Sequence, residues 1–71
     1  MHMDAHHLVS MVNEIAAFFV GEDPEKAAAN VANHLRRYWD PRMRKQIIAH
    51  TSNGGEGLTP VARAGIELIS R

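Results

Sequence analysis

The chain has 71 residues, no cysteine, and eight cationic side chains balanced by eight acidic ones. A chain of this length builds at most one domain, which buries roughly 60% of the surface its unfolded form exposes, and the missing cysteines exclude disulfide stapling and agree with a reducing compartment. The longest apolar run, Ile15 to Val20, stops at Gly21, well short of the roughly 20 apolar residues of a membrane span, and no signal-peptide core is present, so a soluble cytoplasmic protein with no membrane partner is expected.

Residues 1–7 read as a tail, partly a remnant of cloning, since Met3 is a second possible start and a His-Met pair opens the chain; residues 8–71 read as a single helical domain. Asp4 is placed to cap a first helix, along which Leu8, Met11, Val12, Ile15, Phe18 and Phe19 recur at three-and-four spacing until Gly21. Asp23-Pro24-Glu25 supplies a cap, a proline at the first helical position and an acid in the first turn. A second helix is expected from Pro24 to about Tyr38, with Ala28, Val31, Leu35 and Tyr38 as its apolar stripe and small alanines that permit close helix approach.

Asp40-Pro41 repeats the cap-then-proline signal and forces a corner, because the residue before proline is driven away from helical angles. The third helix offers Met43, Ile47 and Ile48 to a core, and Ser52-Asn53-Gly54-Gly55 closes it with residues suited to left-handed backbone angles. Thr59-Pro60 opens a fourth helix reaching about Ser70, with Val61, Ala64, Leu68 and Ile69 as its apolar positions. Gly65 inside it costs about 1 kcal/mol relative to alanine, which makes it the least secure helix. No stretch alternates like a strand, so the fold class is all-α: a compact bundle of four short helices joined by turns containing proline and glycine.

No constellation carries catalysis. His2 and His6 share a face of an early first helix, but there is no third ligand in a metal-binding pattern. His34 and His50 have no nucleophile or orienting partner and read as helix-boundary hydrogen-bonding groups. Gly54, Gly55 and Gly57 follow no strand and precede no Gly-Lys-Ser/Thr, so they read as a tight turn, not a phosphate cradle.

The segment from Tyr38 to Lys45 is different. It sets the only tyrosine and the only tryptophan beside Arg42, Arg44 and Lys45, within a basic stretch in an otherwise acidic or neutral chain. These residue types anchor protein interfaces, and cations in the opening turns of a helix are disfavoured by its partial positive charge by about 0.3–1 kcal/mol each, a penalty an acidic partner relieves. Tyr38, Trp39, Arg42, Arg44 and Lys45 are therefore the partner-binding candidates. The plainer reading is that Trp39 plugs the corner and Asp40 offsets Arg42 or Arg44. A helix, a sharp turn and a basic third helix also permit a small helix-turn-helix-like nucleic-acid binder, against which zero net charge counts.

The strings His34-Leu35-Arg36-Arg37-Tyr38-Trp39-Asp40-Pro41-Arg42-Met43-Arg44 and Gly54-Gly55-Glu56-Gly57-Leu58-Thr59-Pro60 resemble the delta subunit of soluble NAD-dependent formate dehydrogenases, over about Leu8 to Leu68. Trp39, Asp40, Pro41, Arg42, Met43, Gly54, Gly55, Gly57 and Leu58 match its signature positions. The resemblance implies a non-catalytic accessory subunit that binds larger subunits and supports assembly, stability or activity of the complex. Molybdenum or tungsten pterin, iron–sulfur clusters and flavin (FMN) then reside in those larger subunits and none in this chain. Alone, so small a domain is also a candidate for self-association.

Overall fold

The computed structural model describes residues 4–71, so the second start at Met3 and any pairing of His2 with His6 lie outside the described residues. Four helices follow one another: α1 (Ala5–Ala17), α2 (Pro24–Tyr38), α3 (Pro41–Ser52) and α4 (Pro60–Ile69). The three cap-then-proline signals all become helix starts. The Asp23 carboxylate accepts from the N–H groups of Glu25 and Lys26, that of Asp40 accepts from Met43, and the Thr59 hydroxyl accepts from Ala62, with a proline following each cap. Asp4 does the same for α1, accepting from His7 N–H at 3.0 Å.

Leu8, Val12, Val31, Leu35, Ile47 and Ile66 are the largest fully buried side chains, and Trp39 joins their cluster from the corner between α2 and α3. The bundle measures 36 × 23 × 21 Å, and its most extensive helix pair is α2 with α4. Small residues make that pairing possible. A Cβ on Gly65 would lie 2.5 Å from Val31 Cγ1 and 2.7 Å from Val31 Cβ, distances that real side chains essentially never show, and 3.2 Å from the Ala28 carbonyl oxygen, so that Val31 or the helices would have to shift.

The close approach also decides which face of α4 is buried. Ala62, Gly65 and Ile66 are inside, whereas the expected stripe of Val61, Ala64, Leu68 and Ile69 is only partly covered. The glycine that weakens α4 as an isolated helix is thus the residue that seats it, and the expectation of a loosely held fourth helix gives way. Arg36 adds a tie from α2, its Nη2 donating to the Leu68 carbonyl at 3.3 Å.

α3 ends in a Schellman arrangement: Gly55 N–H donates to the His50 carbonyl at 3.0 Å and Gly54 N–H to that of Thr51 at 3.2 Å. Gly54, Gly55 and Gly57 have φ of +112°, +63° and +87°, angles that other residues adopt only under strain. Three helices then hold the loop after α3. Asn13 of α1 donates to the Gly57 carbonyl at 2.9 Å and accepts from Thr59 N–H at 3.1 Å. Arg63 of α4 donates to the Gly54 carbonyl at 2.8 Å. His50 lies 2.9 Å from the Glu56 carbonyl through Nε2, and because a carbonyl can only accept, Nε2 carries the proton. The boundary hydrogen bond expected of His50 is present; His34 instead packs against Tyr38, ring centroids 4.7 Å apart and planes tilted by 47°.

Candidate functional site

The α2–α3 corner follows from two consecutive residues in extended conformation, Trp39 and Asp40. Trp39 caps α2 with φ −90° and ψ 138°, which turns the chain so that Asp40 and Pro41 can start α3 in a new direction. The same turn drives the indole inward, leaving 5% of Trp39 exposed. It is a corner plug, as the plainer reading had it. Asp40 is engaged as the cap of α3, accepting from Met43 N–H at 3.0 Å, and it forms no ion pair with Arg42 or Arg44 among the described residues.

The cations of the corner divide into two groups. Arg44 is half-buried and faces inward, its guanidinium donating to the carbonyls of Trp39 and Arg36, where it satisfies exposed acceptors at the C-terminal end of α2. Arg36 is tied to Leu68 in the same way. Arg42 and Lys45 are exposed and make no hydrogen bond or ion pair among the described residues. Arg37 is also exposed, its guanidinium carbon 5.9 Å from the centre of the Tyr38 ring.

Tyr38 does not join the apolar stripe of α2, as its spacing suggested, but stands 68% exposed. Across from it, α1 closes at Ala17 instead of running to Gly21, and Phe18 becomes its C-cap, 85% exposed. Between these two rings runs a groove of about 450 Å³ lined by Met11, Glu14, Ile15 and Phe18 on one side and by His34, Tyr38, Trp39 and Met43 on the other. Met11, Ile15 and Met43 are partly buried against the core and form its apolar floor. A smaller groove opens nearby on α1, where Val20, 75% exposed, lies near Pro60 and Val61.

This surface holds aromatic rings out to solvent beside cations that make no ion pair with a carboxylate among the described residues. Phe18, which its spacing placed in the buried stripe of α1, instead stands exposed at the edge of the groove. The one signal for it was the Phe-Phe pair at positions 18 and 19, since a single helical stripe covers adjacent positions poorly.

Comparison with known families is decisive here: the family model of the NADH-dependent formate dehydrogenase delta subunit FdsD matches residues 7–66. The chain belongs to this family. No curated protein and no solved structure matches it. Both strings that resemble the delta subunit fall inside the matched span, and the fold gives each a structural task. The string from Trp39 to Met43 turns the α2–α3 corner. The string from Gly54 to Leu58 turns from α3 to α4, with Leu58 packed on the core and Gly57 close to Val9, whose Cγ1 would stand 3.3 Å from an added Cβ. In this delta subunit the exposed apolar rings, Phe18 and Tyr38, therefore stand beside the signature positions and not on them.

Proposed function

We propose that this chain is a non-catalytic accessory subunit that docks on a larger formate dehydrogenase subunit through the groove between Phe18 and Tyr38, and so supports assembly, stability or activity of the complex. The observation that carries the reading is the exposure of these two aromatic rings over an apolar groove in a chain whose family is defined by membership of a larger enzyme. Exposed apolar patches on small proteins mark interaction sites, and aromatic residues with arginine are the usual anchors. Arg42 and Lys45 then meet the partner at the rim, whereas Trp39 and Arg44 hold the corner in shape beneath it. The molybdenum or tungsten pterin, the iron–sulfur clusters and the flavin reside in the larger subunits. A chain without cysteine has no thiolates for a cluster, which supports that division.

The test is co-expression of the larger subunits with and without this chain. The expected outcome is that the chain co-elutes with them and that its deletion lowers either the yield of assembled complex or formate oxidation. Independent elution, with yield and activity unchanged by deletion, refutes the proposal.

A further inference from the structure

We infer that the groove receives a segment of a larger subunit that presents aliphatic side chains to the groove floor and carboxylates to its α2–α3 rim. The inference rests on the docking role proposed above and adds the chemistry and direction of the occupant.

The floor calls for aliphatic groups. Met11, Ile15 and Met43 offer only apolar atoms, and methionine side chains adapt to irregular apolar shapes. An amphipathic helix laid in a groove, anchored at three-and-four spacing, is the usual occupant of such a surface.

The rim is cationic on its α2–α3 side, where Arg37 and Arg42 outnumber the exposed Asp40, whose carboxylate is engaged as the cap of α3. Arg37 and Arg42 flank Tyr38 and Met43 in the chain, and both are exposed. Neither has a hydrogen bond or ion pair among the described residues, although Arg36 and Arg44 beside them are both tied to backbone carbonyls. Arg42 further sits in the opening turn of α3, where the helix's own partial charge is positive. The opposite wall, on α1, carries the exposed carboxylate of Glu14. A carboxylate on the occupant is therefore attracted to the α2–α3 side and repelled from the α1 side, which orients the segment across the groove. Charge complementarity of this kind sets register and suppresses wrong partners.

Overlapping peptides spanning the larger subunits, read by fluorescence anisotropy against the folded chain, test this directly. The captured peptides are expected to combine aliphatic residues at helical spacing with Asp or Glu. The double variant Arg37→Glu/Arg42→Glu is expected to weaken their binding by about tenfold or more, and a peptide with its acids changed to lysine should bind that variant better than it binds the wild type. Both substituted arginines are exposed and make no hydrogen bond or ion pair among the described residues, Arg37 only leaning on the Tyr38 ring, and a thermal melt identical to wild type confirms that the variant folds. The inference is overturned if no peptide is captured, if captured peptides show no preference for acids, or if the double variant binds them as tightly as wild type. It is equally overturned if duplex DNA outcompetes every peptide, or if the groove is occupied by a second copy of the chain that the larger subunits do not displace. Where the peptides fail or show no preference for acids, co-elution of the intact subunits still supports the docking role; a groove held by a second copy, or loss of co-elution, removes both.

Discussion

Two helix seams in this molecule meet opposite demands. Where α2 crosses α4, Gly65 leaves no space for a methyl group against Val31 and only a tight fit against the Ala28 carbonyl. Where α1 approaches the α2–α3 corner, Phe18 and Tyr38 stand in solvent above an open groove. A 71-residue domain has little apolar surface to spare, so the contrast separates what the fold needs from what it leaves available. The closed seam fixes the architecture, and the open one is the surface we propose for a partner.

The comparison is challenged most severely at Trp39, which is core on its inner side and the base of the groove on its outer side. Trp39→Ala is expected to cost about 3–5 kcal/mol, the usual penalty for deleting a buried large aromatic side chain, and urea unfolding measures it. A loss under about 1 kcal/mol would mean that the corner belongs to the open seam and not to the core. Failure of this variant to bind a partner therefore reports unfolding, not contact.

Gly65→Ala comes next. Alanine improves helix propensity by about 1 kcal/mol, but overpacking costs typically 1–3 kcal/mol, and with backbone on one side of the added methyl the second effect wins. A net destabilisation of up to about 2 kcal/mol is expected in the same unfolding experiment. A stabilised variant would show that α2 and α4 have room to spare, and the distinction between the seams would disappear.

Asn13→Ala removes both hydrogen bonds from α1 to the loop before α4. About 1 kcal/mol of stability should be lost, with faster amide exchange at Thr59, whose N–H donates to Asn13. Unchanged exchange there would mean that the Schellman turn and Arg63 hold the loop without α1.

Helix starts were legible in the sequence because a cap followed by proline is a local signal, and Asp23-Pro24, Asp40-Pro41 and Thr59-Pro60 each act within one turn. Left-handed turns were legible for the same reason at Gly54, Gly55 and Gly57. The buried face of α4 was not, since Ala62 and Ile66 are selected over Ala64 and Leu68 by a contact of Gly65 with residues more than thirty positions earlier. Periodicity identifies an apolar stripe without saying how much of it the rest of the chain can cover. Phe18 and Tyr38 lie at the ends of their helices, where the bundle stops, and so remain outside. Of the corner candidates, Tyr38, Arg42 and Lys45 face solvent, while Trp39 and Arg44 are engaged in holding α2 and α3 together. The clamp at Asn13 spans 44 residues to Gly57 and has no local signature.

The smallest expected effect on stability belongs to the double variant Phe18→Gln/Tyr38→Ala, since both rings are exposed and surface substitutions usually change stability by less than about 0.5 kcal/mol. Its capture by the larger formate dehydrogenase subunits, measured by co-elution beside a thermal melt of the isolated chain, tests the open seam directly. A melt like that of wild type together with loss of co-elution is predicted. A folded double variant that still co-elutes in full amount would contradict the account.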